Sequence, residues 1–144
     1  MGGIAKLAMN GGLGATMAIV VAASCLSGRA SSADLTAAQA QFQTSCGTCH
    51  AAEVGAPSRQ GPNLVDRFGK TAGTLEGFYY SEALRTSHFV WDEVTLDRWI
   101  TDAQAMRPGV LMTYRQADPA KRRLIIDYLK SLSGSPAHRG ATHD

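Results

Sequence analysis

Two thiols and an imidazole occur within five consecutive residues of this chain, at Cys46, Cys49 and His50. Two cysteines separated by two residues and followed at once by a histidine match the pattern of c-type haem attachment. The spacing has a chemical reason, because each thiol can form a thioether with one of the two haem vinyl groups. The histidine then lies beneath the iron and can act as an axial ligand. The motif predicts one covalently bound haem c.

Three other chemistries fit part of this motif. A thioredoxin-like redox pair has the same cysteine spacing, but that fold needs alternating strands and helices, and the sequence shows no strand alternation. A structural zinc site needs further paired ligands, yet no cysteine follows Cys49, and His88, His138 and His143 are not at ligand spacing. A disulfide between the two cysteines would leave His50 without a role. Haem attachment is the interpretation that uses all three residues.

A haem iron that carries electrons needs a sixth ligand, and a methionine thioether suits this position. After residue 33 the chain contains only two methionines, Met106 and Met112. Pro108 and Gly109 break the preceding helical pattern and allow a loop to turn back, and Met112 ends this loop. Methionines on apolar surfaces usually serve packing, but a methionine just after a Pro-Gly turn is not on a helical stripe. Met112 is therefore the predicted ligand rather than Met106.

The first 33 residues differ in composition from the rest of the chain. Lys6 is the only charged residue before Arg29, and an apolar run of about ten residues at 17–26 is followed by small residues. This order is typical of a secretory signal peptide, with cleavage expected between Ala33 and Asp34. An uncleaved membrane anchor is the alternative, although a membrane span needs about 20 apolar residues.

Lipidation of Cys25 is a third hypothesis for this segment, but the usual bulky residue three positions before the cysteine is missing. Each alternative takes the chain across a membrane, so we expect a bacterial periplasmic protein that touches a membrane only through an uncleaved leader. Without Lys6 and Arg29 the 14 basic residues become 12, which balance the 12 acidic residues. A neutral domain with no basic tract excludes a nucleic-acid-binding protein.

Apolar residues recur at helical spacing in three segments. These segments are about residues 35–44, 93–103 and 118–134. Asp34 is the expected N-cap of the first, and Asp118 and Pro119 give the third an N-cap and a proline in its first turn. Short turns are predicted at residues 64–67 and 81–85. With no repeat and no second domain, the prediction is one domain at 34–134 and a flexible tail at 135–144.

Taken together, these motifs resemble class I cytochrome c, particularly the mitochondrial type and related bacterial proteins. The resemblance covers about Asp34 to Ser133. Its matching segments are residues 46–50, 61–64, 68–70, 77–80, 91–93 and 108–112. It implies an all-α fold, the small cytochrome c fold, in which three main helices, short helical turns and loops wrap around one covalently bound haem. The first and last helices are expected to cross, with Phe42 near Tyr128.

The resemblance also implies roles for residues around the haem. Pro62 is expected to accept the ring N–H of His50 with its carbonyl, which fixes the ring and raises its donor strength. Tyr80 and Trp91 are expected to donate to a buried propionate, since buried Tyr and Trp need a hydrogen-bond partner; ordinary core aromatics are the alternative. Lys70 stands where the family often has an arginine near the same propionate, and it lacks the bidentate fork of arginine.

Three departures from the family pattern concern the side of the haem that faces Met112. Trp99 occupies a position where the family commonly has a tyrosine, and its indole, which only donates, is a candidate hydrogen-bond donor to the Met112 sulfur. Leu84 and Val110 replace polar residues. A more apolar pocket disfavours the positively charged oxidised iron, so we expect a reduction potential at least as high as is usual for His/Met-ligated haems.

The function implied is that of a single-haem electron carrier, a monomer that meets its donor and acceptor proteins transiently and has no catalytic residues. The alternatives are a haem subunit of an exported dehydrogenase or oxidase, and a haem peroxidase, which would need the iron position that Met112 fills. Mitochondrial-type carriers use a ring of lysines to reach acidic partners. The corresponding positions here include Ser45, Gln104, Leu111 and Asp118, so we predict weak electrostatic steering.

Overall fold

The computed structural model describes Gly2 and residues 32–134. Its helices, in chain order, are α1 (Ser32–Ser45), α2 (Glu82–Arg85), α3 (Glu93–Thr101), α4 (Ala103–Met106) and α5 (Pro119–Ser131). A long loop connects α1 to α2, shorter ones connect α2 to α3 and α4 to α5, and Asp102 alone joins α3 to α4. Within the described residues the β-type pairing is limited to one isolated antiparallel bridge between Thr71 and Val90. The predicted all-α class, with three main helices and short helical turns, is confirmed.

The start of α1 differs from the prediction. The helix begins at Ser32, so Asp34 lies in its first turn rather than at the N-cap position. A carboxylate in the first turn still favours the helix, because the N-terminal end of a helix carries a partial positive charge. Apart from Gly2, Ser32 and Ala33, the predicted leader at 1–33 lies outside the described residues, as does the predicted tail at 135–144.

The second predicted helix is divided in two by an aspartate. The α3 helix begins at a capping box, in which the Asp92 carboxylate accepts from the Thr95 backbone N–H at 2.7 Å. It ends at Thr101, two residues before the predicted end, because the Asp102 carboxylate accepts from the backbone N–H of Ala105 at 3.0 Å and caps α4 instead. Side chains that compete for backbone N–H groups favour a new start over a continued helix.

The C-terminal helix follows its sequence signals closely. The Asp118 carboxylate accepts from the backbone N–H of Ala120 at 2.8 Å, and Pro119 occupies the first helical turn. Since a proline has no N–H to leave unpaired, it fits this position without cost. The helix ends at Ser131, and Gly134 beyond it has a φ of +92°, a conformation that glycine adopts without strain.

The first and last helices pack against each other, as expected. The rings of Phe42 on α1 and Tyr128 on α5 lie with their centroids 4.9 Å apart, and Phe42 and Ile125 are fully buried. The α3 helix joins the same core through Leu96, Trp99 and Ile100. Among the described residues, no helix is long enough and apolar enough to cross a membrane.

Candidate functional site

The helices and loops surround a cavity of about 480 Å³, which is within the range of about 300–1,000 Å³ typical of small-molecule and cofactor sites. Most of its lining is apolar. The structure brings all eight predicted site residues to this one cavity. They are Cys46, Cys49, His50, Pro62, Tyr80, Trp91, Trp99 and Met112.

One wall of the cavity, which we call the His50 side, consists of residues 46–50 and 59–64. The turn at Cys46 continues directly from α1, with backbone hydrogen bonds from the N–H of Cys49 and the N–H of His50 to the carbonyl of Cys46, at 3.0 and 2.9 Å. No disulfide joins the two sulfurs. A single tight turn therefore presents two thiols and an imidazole to the same space.

Burial controls the protonation of these groups. It raises the pKa of the Cys46 thiol to about 12, with a further contribution from the charge of the Cys49 sulfur. It also lowers the pKa of His50 from 6.5, and the hydrogen bond to Pro62 opposes this shift in part. At neutral pH the imidazole is therefore uncharged, which is the form that binds a metal ion.

A second segment fixes the orientation of the histidine ring. Nδ1 of His50 lies 2.8 Å from the carbonyl oxygen of Pro62 and donates its hydrogen to it, so Nε2 keeps a lone pair for a metal ion. Gly61 lies against the face of the ring, and a Cβ at this position would come within 2.2 Å of His50 Cε1. Sequence reasoning gave Gly61 no separate role, because the need for a bare backbone there depends on a contact across the fold.

We call the other wall, together with the residues that support it, the Met112 side; it consists of Trp99, the loop 107–112 and, outside the cavity lining, Gln104. The loop turns at Gly109, with a φ of +90°. The indole N–H of Trp99 donates to the Met112 sulfur at 2.9 Å, and Trp99 itself is buried in α3. Met106 is the last residue of α4 and is not among the cavity-lining residues.

The remaining lining contains both apolar and polar residues. Leu84 and Val110, two of the three departures from the family pattern, both line the cavity. Tyr80 is half-buried, and burial raises the pKa of its hydroxyl. Arg67 also lines the cavity, whereas Lys70 is exposed and does not line it.

Arg67 was missed by sequence reasoning. Its guanidinium acts electrostatically on the hydroxyl of Tyr80, whose pKa it lowers against the larger effect of burial. Lys70 lies in a segment that matches the family pattern, whereas Arg67 is a second cation three residues earlier in the chain. The arginine just before the Phe68-Gly69 turn was the available sequence signal for this role. The direction of its side chain, however, depends on the fold of the loop.

Comparison with known proteins decides the family. A family model described as Cytochrome c matches residues 35–133. The chain belongs to the cytochrome c family. The cytochrome c of Chlamydomonas reinhardtii is 38% identical over 98 residues, which are 67% of this chain and 88% of that protein.

Bacterial relatives and a solved structure agree. Cytochrome c2 iso-2 of Magnetospirillum fulvum is 39% identical over 88 residues, which cover 60% of this chain and 91% of that protein. The structure of cytochrome cH from Methylobacterium extorquens superposes with a TM-score of 0.62 at 34% identity, covering 68% of this chain and 98% of that one.

The residues of this cytochrome c fit the family's cofactor. Two thiols, an uncharged imidazole and a thioether all line one mainly apolar cavity, and the bare backbone of Gly61 gives the imidazole its place. One haem c is attached covalently through Cys46 and Cys49. The protein is a haem electron carrier and not a catalyst.

Proposed function

We propose that this cytochrome c holds its iron between His50 and Met112 and carries single electrons between redox proteins outside the cytoplasm. The observation that supports the proposal best is that both side chains are oriented by a hydrogen bond inside the same cavity. Pro62 holds the imidazole at Nδ1, and Trp99 holds the thioether at its sulfur. Two pre-oriented ligands leave little to rearrange when the charge of the iron changes.

The bound haem supplies an iron centre that accepts and releases one electron. The chain's own residues determine how readily it does so. Leu84, Val110 and Ile100 line the cavity with hydrocarbon, and such surroundings exclude water and disfavour an added positive charge. The Trp99 N–H draws electron density from the Met112 sulfur, which favours the reduced state. Both effects support a potential at least as high as is usual for this ligand pair.

Three polar side chains of the cavity lining support a site for the haem propionates. Tyr80 and Trp91 line the cavity, and their O–H and N–H groups are the donors that a buried carboxylate needs. Arg67 is the charged member of this group, and we propose that it takes the part that the family resemblance assigned to Lys70. A guanidinium pairs with a carboxylate through two parallel hydrogen bonds, which a lysine cannot provide.

The ligand assignment is tested by optical spectra of the reduced and oxidised protein. The oxidised protein should show the weak far-red band of a sulfur–iron bond, and Met112→Ala should abolish it while the haem stays attached. The matched control is Met106→Ala, which removes the other methionine after residue 33 and should leave the band in place. Rapid stoichiometric carbon monoxide binding by the reduced wild-type protein at neutral pH would contradict the proposal.

The edge of the cavity supports weak electrostatic steering of the partners. Tyr79 and Leu111 line it and are 86% and 73% exposed, and Ser45 and Gln60 are uncharged neighbours in the same lining. Because salt screens charges and leaves apolar contacts intact, the rate of electron transfer to a partner should depend only modestly on ionic strength. A steep fall in the rate with added salt would contradict this expectation.

Export is proposed from the composition of residues 1–33 alone. The mature protein should begin at Asp34, and sequencing its N-terminus in the native host measures this directly. Met1 or Gly2 at the mature N-terminus would rule out cleavage.

A further inference from the structure

The hydrogen bonds of the Gln104 side chain could not be predicted from its residue type or from its position in the sequence. It lies on α4, half-buried, and does not line the cavity. Its side-chain nitrogen Nε2 donates to two backbone carbonyls of the neighbouring loop, that of Val110 at 2.5 Å and that of Met112 at 3.1 Å. One amide group therefore spans the three residues that end in the predicted iron ligand.

The chemistry of the two acceptors fits this side chain closely. A primary amide has two N–H donors on one nitrogen, so it can satisfy two carbonyls at once. The loop contributes little of its own here, since the Val110 N–H reaches the carbonyl of Arg107 only at 3.4 Å. Outside a helix or strand, the shape of such a loop depends on side chains that occupy its backbone groups.

Gln104 and Trp99 hold different parts of the same residue. The Trp99 indole reaches the Met112 sulfur at 2.9 Å, whereas the Gln104 amide reaches the Met112 backbone carbonyl. The two side chains come from different helices, α3 and α4, which meet at the Asp102 cap. Met112 is thus held both at its sulfur and at its backbone carbonyl.

We propose that Gln104 is a positioning residue that holds the Met112 loop closed and so determines how often the sulfur leaves the iron. The inference rests on the proposed ligation by Met112. Gln104 acts through the loop backbone and makes no contact with the cofactor cavity. Each neutral hydrogen bond shifts an equilibrium by a factor of about 2 to 10. Loss of both bonds should therefore increase the open population of the loop by about 4- to 100-fold.

Two variants separate the hydrogen bonds from the shape of the side chain. Gln104→Glu keeps the shape but replaces the donors with a carboxylate that faces two carbonyl oxygens, and Gln104→Ala removes the group. The matched control is Gln41→Ala, because Gln41 is also a helical glutamine whose amide donates, in this case to the Ser45 hydroxyl at 2.7 Å. This control changes the same residue type without touching the loop.

The first measurement is the affinity of the oxidised holoprotein for imidazole, which enters only when Met112 has left. Both Gln104 variants should bind imidazole about ten-fold more tightly than the wild type, with Gln104→Glu affected at least as strongly as Gln104→Ala. Gln41→Ala should remain within two-fold. A Gln104→Glu protein that binds imidazole like the wild type would overturn the proposal, because it keeps the shape and lacks only the donors.

The second measurement is hydrogen–deuterium exchange of the peptide that covers residues 107–113. Its exchange should be faster in both Gln104 variants, while the peptide that covers 46–50 should be unchanged. This readout follows the loop backbone directly and requires no added ligand. If the oxidised wild type lacks the far-red band, ligation by Met112 is wrong. If the band is present but loop exchange and imidazole affinity are those of the wild type, the role of Gln104 is wrong.

Discussion

The His50 side and the Met112 side of the cavity reach the same cofactor by different means. On the His50 side, backbone hydrogen bonds within one turn place Cys46, Cys49 and His50. On the Met112 side, side chains from α3 and α4 hold a loop, through Trp99 and Gln104. The difference teaches that the local geometry of one turn brings His50 to the cavity, where a second loop orients its ring. Met112, by contrast, is held by side chains from two helices.

The largest expected effect tests the rigidity of the His50 side. In Gly61→Ala the new Cβ would lie 2.2 Å from His50 Cε1, so the ring or the 59–64 segment must move. We expect a loss of about 3 kcal/mol in the free energy of unfolding of the holoprotein, at the upper end of overpacking costs. Denaturant unfolding followed at the haem absorbance measures it.

Gly55→Ala is the control for Gly61→Ala. Gly55 has a φ of +75° and open space around its Cβ position, so alanine there adds backbone strain of about 1 kcal/mol without a clash. If the proposed rigidity is absent, Gly61→Ala should lower the free energy of unfolding by no more than Gly55→Ala does. Equal losses in the two variants would mean that the His50 side is not the more rigid side of the cavity.

The next effect tests whether the Met112 side depends on distant packing. The Arg122 side chain is only 13% exposed. It donates to the Asp97 carboxylate on α3 at 2.7 Å. It also donates at 2.9 Å to the carbonyl of Ala117, which lies in the segment that follows Met112. Arg122→Ala should cost about 2 kcal/mol and accelerate hydrogen exchange at 107–113. Exchange at 46–50 should not change.

Arg85→Ala serves as the comparison for Arg122→Ala. Arg85 pairs with Glu82 on the surface, where both side chains are mostly exposed, and exposed pairs contribute about 0–1 kcal/mol. Faster exchange at 46–50 in Arg122→Ala, of the same size as at 107–113, would mean that the two sides loosen together.

A smaller effect is expected from the bond to the sulfur. Trp99→Phe removes the N–H that reaches Met112 and keeps an aromatic ring. A bond worth about 1 kcal/mol corresponds to about 40 mV for one electron, so the midpoint potential should fall by up to that amount. Redox titration measures it. The comparison variant is Trp91→Phe, which removes a neighbouring indole whose ring centroid is 5.1 Å from that of Trp99. This variant should leave the far-red band unshifted. A midpoint potential of Trp99→Phe equal to that of the wild type would contradict the role of the Trp99 N–H.

The smallest effect concerns the attachment of α3 to α5. A hydrogen bond from Lys130, reinforced by its charge and that of Arg123, lowers the pKa of Glu93 from 4.5. Because the folded pKa is below the unfolded one, the stabilisation is present above pH 4.5 and is lost as the pH falls through the folded pKa. Glu93→Gln should therefore flatten the stability curve in that acid range and change little at pH 7. An unchanged acid limb in a pH series of unfolding curves would exclude this contribution.

The contrast between the two sides also explains what the sequence could predict. The cysteine–histidine motif, the Asp118-Pro119 start and the Pro108-Gly109 turn depend on neighbours in the chain, and the structure places them as expected. The sequence did not predict the helix break at Asp102. An aspartate that caps a helix and an aspartate inside a helix cannot be distinguished from the residue type alone.

The missed contributors around the cavity share one property. Gly61 lies against a ring eleven residues earlier in the chain, Arg67 reaches the cavity from a loop, and Gln104 bonds to a loop six to eight residues later. Their roles arise from tertiary contacts, and a single sequence shows residue types but not which backbone groups or rings will meet them.

The contact between Phe42 and Tyr128 has a consequence for the order of events during synthesis. These rings come from the two ends of the domain, so the core cannot close until nearly the whole chain is available, and closing so large a loop is entropically costly. The haem-binding turn at 46–50, by contrast, needs only the end of α1. A chain that is still being synthesised or translocated can thus expose its thiols long before the core closes over them. During this interval, thioether formation at Cys46 and Cys49 can take place on an unfolded polypeptide.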